Sequence, residues 1–328
     1  MFDIQGPAGE MLSIPTDRTE DQAYFTPDQT REAREYLAEY GYTVIRGLVP
    51  KGMCQAANLT VRDELAAYRG YLYRQTTANP ELHVFNDRGF LMNPIQNVQD
   101  VPSAQLGRFR STTLDILTHA NVQRLLETLF DEPGKLVQSM YFQGNTATWA
   151  HQDTYYLDSE DIGTMVAGWF ALEDIKPGAG RFFVYPKSHL IDMTRNGGDF
   201  DYAFNHDRYK KLVIDLINRL ELKCSAPALE QGDALFWNAK TIHGSLETRQ
   251  SEYSRASLTA HYIPESARFL QFQSRIKPLH LREYNGMQVN HPKSLDSVSK
   301  RMILNIETSF PRSFRFAKKV AVKFVTSA

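Results

Sequence analysis

Residues 151–153 read His-Gln-Asp, and the stretch around them, TWAHQDTYY (148–156), has the β-branched and aromatic content of a strand. Side chains at i and i+2 of a strand share a face, so this spacing predicts that the His151 imidazole and the Asp153 carboxylate converge. A second imidazole is available at His243, which follows the strand-like GDALFWNAKTIHGS (232–245) after a Gly232-Asp233 turn. Two imidazoles and one carboxylate make one triangular face around a metal and leave three positions open, as an Fe(II) oxygenase requires. Iron can then hold a bidentate 2-oxo acid and still accept O2. Four protein ligands would leave too few positions, and thiolates would favour zinc or iron–sulfur chemistry. The carboxylate of Asp153 partly balances the metal charge, and its presence, where Gly or Ala would open a halide position, favours hydroxylation over halogenation.

A 2-oxo acid with a second carboxylate needs a cation. Arg255 lies 12 residues after His243, far enough to turn and return on the next strand, SRASLTAHYIP (254–264). A guanidinium binds a carboxylate through two parallel hydrogen bonds, which lysine does not reproduce. Arg255, Ser257, Thr259 and His261 share a strand face by their even spacing. His261 therefore either lines the pocket or is a satisfied interior histidine. Ser245, two residues after His243, adds a hydroxyl donor. Of Tyr155 and Tyr156, alternation turns one toward the cavity, where it would shape a substrate pocket, though strands are rich in Tyr for packing reasons alone. His189, in YPKSH, reads as a turn-stabilising residue, and His83, His119, His206, His280 and His291 read as surface residues.

These side chains need a rigid frame. Helices are expected over 27–40, where Pro27 follows Thr26 and Gly41 ends the stretch, from Pro50 to about 68, and over 119–130, with Tyr42–Leu48 as a strand between the first two. Residues 1–25 read as an extended lead-in, and 70–106 as irregular. From Lys135 the texture changes to short apolar runs at 136–143, 148–156, 163–173, 180–186, 232–238 and 254–264, with an amphipathic helix inserted at 205–221. The expected fold is an all-β core with flanking helices (α+β), a two-sheet antiparallel roll. One domain spans 1–328: a helical part at 27–130, a core at 134–264 and a C-terminal extension at 265–328.

The 328 residues carry 37 Lys+Arg against 38 Asp+Glu, so net charge gives no reason to expect nucleic-acid binding. Two cysteines, Cys54 and Cys224, are too few for a disulfide framework. The start, MFDIQGPAGEMLSIP, lacks the basic end and apolar centre of a signal peptide. The longest apolar run, Met165 to Leu172, is far short of the ~20 residues that span a bilayer. A cytoplasmic enzyme acting on a small-molecule substrate is expected, its oligomeric state unread. The tail 312–328 has five basic residues and no acid. It reads as a surface helix packing Phe316, Val320 and Phe324, in preference to an anionic-surface binder.

HQD (151–153), the tryptophan of GWFALEDI (168–175), YPKSH (185–189), GDALFW (232–237), HGS (243–245) and Arg255 together resemble the phytanoyl-CoA dioxygenase family. The resemblance is strong over 138–264 and looser over 27–68. It implies a double-stranded β-helix (jelly roll), dependence on Fe(II), 2-oxoglutarate and O2, and iron ligands His151, Asp153 and His243. Arg255 and Ser245 would hold 2-oxoglutarate, Trp169 would lie beside it, and Gln138 would offer a polar contact. Lys187 departs from the family by standing where relatives carry glycine. The family acts on acyl thioesters, compatible solutes and biosynthetic intermediates, and the 70–106 and 195–221 segments would set specificity. Two other readings remain: a catalytically silent jelly roll that binds a ligand, and a zinc hydrolase on the same three ligands.

Overall fold

The computed structural model describes residues 1–144, 147–193, 195–198, 205–273 and 275–314. The first helix, α1 (Thr30–Tyr40), starts later than the sequence suggests, because Thr26–Gln29 closes a turn of its own with Gln29 N–H on the Thr26 carbonyl at 3.0 Å. It ends at Gly41 in the left-handed conformation that terminates many helices (φ +81°). Strand β1 (Tyr42–Ile45) follows, then α2 (Lys51–Thr60), which runs on through a wider turn at Val61–Leu65. Helix α3 (Ser103–Leu117) has no counterpart among the expected helices. Its backbone kinks at Leu106, and Arg108, Arg110 and Ser111 interrupt the apolar stripe that would have marked it. Helix α4 (Ala120–Phe130) lies where its stripe placed it.

The roll is built from β2 (Gly134–Phe142), β3 (Thr148–His151), β4 (Val166–Ala171), β5 (Phe182–Val184), β6 (Ala234–Asn238), β7 (His243–Ser245) and β8 (Ser257–Pro264). Helix α5 (His206–Arg219) is inserted between β5 and β6. The larger sheet contains the order β2-β8-β4-β6-β1, all antiparallel, and the smaller sheet the order β5-β7-β3. Two facing antiparallel sheets of this kind form a jelly roll. The C-terminal part joins the larger sheet through β9 (Met287–Asn290), which lies parallel to β2 with Val289 opposite Leu136. Helix α6 (Val298–Ser309) follows.

Alternation sorts the larger sheet into two apolar faces. Leu258, Ala260 and Tyr262 of β8, with Phe170 and Phe236, pack in one cluster with Phe109, Leu117 and Leu125 of α3 and α4. Trp169, Leu235 and Trp237 point the other way, into the roll, and pack with Phe182 and Val184 of β5. Burying each such side chain contributes about 1.5–3 kcal/mol, which is why the strands read as near-continuous apolar runs. A third cluster, with Ala150, Phe183, Tyr209, Val213 and Ile217, fastens α5 to the outer face of the smaller sheet.

Residues 1–25 are not merely extended, since Phe2–Gln5 and Met11–Ile14 pair as a hairpin. The 70–106 stretch holds short strands at Leu72–Tyr73, Pro80–Glu81 and Ile95–Gln96. His83, His119 and His291 are half-buried rather than superficial, with His83 against the Arg74 guanidinium at 3.1 Å and His119 capping α4. His189 Nε2 lies 3.1 Å from the Ala38 carbonyl of α1, so the ring joins its own turn to that helix. Cys54 and Cys224 are free thiols. The expected basic helix lies outside the described residues from Arg315 onward. No helix among the described residues is long and apolar enough to cross a membrane.

Candidate metal centre and cosubstrate pocket

His151 ends β3 and His243 opens β7, and the register of the smaller sheet sets the two directly opposite each other, ring centroids 4.4 Å apart. The strands come close because residue 244 is glycine. A Cβ there would sit 2.5 Å from the Thr148 carbonyl oxygen, inside contact distance. Asp153 arrives differently from what i, i+2 spacing suggests. β3 stops at His151, and Asp153 begins a 3-10 turn, Asp153–Tyr155. The Gln152 N–H goes to the Tyr209 hydroxyl at 3.0 Å and the Thr154 N–H to the Ala239 carbonyl at 3.1 Å, so partners outside the sheet replace the strand ladder.

The ligand-type atoms of His151, Asp153 and His243 lie within 4.8 Å of one another, and all three residues are buried. Among the described residues this is the one group of three His, Cys, Asp or Glu so placed. His151 Nδ1 is 2.8 Å from the Trp149 carbonyl and His243 Nδ1 is 2.9 Å from the Thr241 carbonyl. A carbonyl only accepts, so each Nδ1 carries the hydrogen and each Nε2 keeps its lone pair for a metal. Both Nε2 atoms face Asp153 Oδ1, at 3.6 and 3.5 Å. Burial opposes charge on Asp153, but the neighbouring imidazoles of His243 and His261 outweigh it and hold the carboxyl well below its usual range. Burial first, then the neighbouring His243 ring, keeps His151 below the ordinary imidazole value. These directions favour an ionised Asp153 and a neutral His151, the forms in which each can bind a metal.

Arg255 precedes β8, its N–H on the Gln143 carbonyl at 2.8 Å, and is 3% exposed. Its Nη1 donates to the Gly180 carbonyl at 2.7 Å, while Nε and Nη2 are buried without a partner. Two residues on, Phe182 pairs with Ser245 and stacks on the His243 ring at 5.5 Å, which ties the guanidinium's neighbourhood to the imidazoles. Ser245 Oγ accepts the Thr148 N–H at 2.7 Å and retains its own hydrogen to donate. Buried N–H groups with no acceptor among the described residues can receive an anionic group.

Trp169 on β4 faces into the roll beside Phe182, ring centroids 6.0 Å apart. Gln138 on β2 and His261 on β8 are cross-strand partners. His261 is 2% exposed, neither ring nitrogen has a hydrogen-bond partner, and Nε2 lies 3.3 Å from Asp153 Oδ2. The two tyrosine rings meet edge to face at 4.6 Å but have different further neighbours. Tyr155 stacks on Tyr209 of α5 at 3.9 Å, whereas the Tyr156 ring meets His151 edge-on at 5.8 Å. Sequence reasoning missed Trp237. Its Nε1–H donates to Asp153 Oδ2 at 2.8 Å, and nothing in GDALFW distinguishes it from a packing aromatic.

The phytanoyl-CoA dioxygenase family model matches residues 37–257. The human peroxisomal phytanoyl-CoA dioxygenase is 23% identical over 287 residues, covering 78% of this chain and 80% of that protein. Among solved structures, the epimerase SnoN from nogalamycin biosynthesis, in complex with Fe3+, alpha-ketoglutarate and nogalamycin RO, superposes with a TM-score of 0.53 at 18% identity, covering 80% of this chain and 98% of SnoN. EctD from S. alaskensis, with 2-oxoglutarate and 5-hydroxyectoine, gives 0.53 at 16% identity over 86% of this chain and 91% of EctD. The chain belongs to the phytanoyl-CoA dioxygenase family and is an Fe(II)- and 2-oxoglutarate-dependent dioxygenase.

Proposed function

We propose that this enzyme hydroxylates a C–H bond of a small-molecule metabolite or biosynthetic intermediate, with His151, Asp153 and His243 as the iron ligands. The observation that carries the assignment is an intact two-imidazole, one-carboxylate face combined with Arg255, a buried cation with two N–H-bearing nitrogens that find no partner among the described residues. Iron with 2-oxoglutarate and O2 supplies the oxidation of an unactivated C–H bond, with succinate and CO2 as coproducts.

The chain's own residues bind, orient and exclude water. The Trp149 and Thr241 carbonyls fix both imidazoles as Nε2 donors. Arg255 receives the distal carboxylate and Ser245 adds a hydroxyl donor. Trp169 and Phe182 close the apolar side, and Gln138 and His261 face each other across β2 and β8. Tyr156, beside His151, is the better placed of the two tyrosines to touch substrate, while Tyr155 supports α5. We read residues 1–328 as one such domain, a reading supported by β9 joining the sheet of β2.

The test is turnover. Purified protein with Fe(II), 2-oxoglutarate and O2 should release succinate, faster with a true substrate, and yield a product heavier by one oxygen. His151→Ala and His243→Ala should abolish both. Succinate release that survives in both variants would refute the ligand assignment.

A further inference from the structure

Resting on the ligand assignment above, we propose that Trp237 is a positioning residue: its indole N–H occupies Asp153 Oδ2 and holds the carboxylate to the metal through Oδ1 alone. The two oxygens of Asp153 have different surroundings. Oδ1 faces both His Nε2 atoms, at 3.6 and 3.5 Å, whereas Oδ2 points away and accepts the Trp237 hydrogen at 2.8 Å. Trp237 has little freedom to move. It is 1% exposed, and its ring lies 4.6 Å from Phe182 and 4.7 Å from His243. Its backbone sits between Ala167 of β4 and Tyr42 of β1. His261, 3.3 Å from the same oxygen, makes no aligned hydrogen bond to it.

The consequence follows from counting coordination positions. Two imidazoles, one carboxylate oxygen and a bidentate 2-oxo acid fill five of the six positions of an octahedral ion, leaving one for O2. A carboxylate that swung to bind through both oxygens would take that last position. An indole is suited to prevent this, because it only donates and does not titrate in the working pH range. A phenyl ring at 237 would pack similarly and leave Oδ2 free to turn toward the metal.

Anaerobic titration with Co(II), followed by its visible d–d absorption, tests the idea on three proteins of verified fold. Trp237→Phe should bind Co(II) about 10–100-fold more weakly than wild type. Its absorption with 2-oxoglutarate should fall to the lower intensity of a six-coordinate ion. Leu235→Ala, a cavity two residues away in the same apolar cluster, should keep the wild-type affinity within about twofold although it also lowers stability. If Trp237→Phe does not fold, site-specific benzothienylalanine at 237 replaces N–H by sulfur at nearly constant volume and should give the same weakening. Wild-type affinity and spectrum in the donor-deleted protein would overturn the proposal, as would equal weakening in Leu235→Ala. Failure of the wild type itself to bind Co(II) would instead refute the ligand assignment.

Discussion

The Arg255 guanidinium donates one hydrogen bond, from Nη1 to the Gly180 carbonyl at 2.7 Å, and its Nε and Nη2 hydrogens are buried without a partner among the described residues. Burial pushes the guanidinium down to about 9, because its surroundings solvate the cation poorly. On the function proposed above, the distal carboxylate of 2-oxoglutarate would compensate this buried charge.

Arg255→Met should therefore make the ligand-free protein more stable by about 1–4 kcal/mol, the usual gain when an apolar side chain replaces a buried ionic group. The same change should abolish stabilisation by 2-oxoglutarate, which for wild type should reach about 2.7 kcal/mol at a hundredfold excess over Kd. Thermal melts with and without 2-oxoglutarate check both halves. A ligand-induced shift in Arg255→Met equal to that of wild type would remove Arg255 from the cosubstrate site.

Lys187 stands where the backbone conformation favours glycine. Its φ is +65°, the left-handed region that costs a side-chain-bearing residue about 1–2 kcal/mol. Its ammonium lies 4.8 Å above the Tyr40 ring and 3.4 Å from Glu39, contacts of modest worth at an exposed site. Lys187→Ala keeps the strain and loses the contacts, so it should be less stable than wild type. Lys187→Gly should exceed Lys187→Ala by about 1 kcal/mol in urea unfolding. Equal stabilities for the Gly and Ala variants would show that the backbone is unstrained there.

Asp158 is 1% exposed and accepts the N–H groups of Ser159 and Gly163, yet burial dominates and pushes its carboxyl up to about 6. The folded state then holds a proton that the unfolded chain releases near pH 3.9. Its contribution to stability is complete below about pH 4 and is lost as pH rises through 6, about 1.4 kcal/mol per unit. Asp158→Asn removes that slope. His83, pushed down to about 4 by burial, slopes the other way in both proteins and cancels in the difference. Between pH 4 and 7 the variant should gain roughly 2–3 kcal/mol on wild type in urea unfolding. Parallel pH curves would contradict this.

The sequence carried more of the site's composition than of its construction. That His151, Asp153 and His243 would come together was legible because metal chemistry restricts residue type and because their strands could be placed from short apolar runs. The 3-10 turn at Asp153 was not, since its hydrogen bonds go to Tyr209 and Ala239, far away in sequence. Trp237 was hidden for a related reason: a strand aromatic looks the same whether it only packs or also donates to a carboxylate. Helix α3 was obscured by its kink at Leu106 and by polar residues such as Arg108, bound to Glu64 at 2.7 Å, that break its stripe.

The most direct measurement is the visible spectrum of the purified protein with Fe(II) and 2-oxoglutarate under strictly anaerobic conditions. Wild type should show a weak metal-to-ligand charge-transfer band. His151→Ala and His243→Ala should show none, and Arg255→Ala should need more 2-oxoglutarate to reach it. A wild-type protein without the band, or both histidine variants showing it at the same iron and 2-oxoglutarate concentrations, would contradict the assignment of the metal centre.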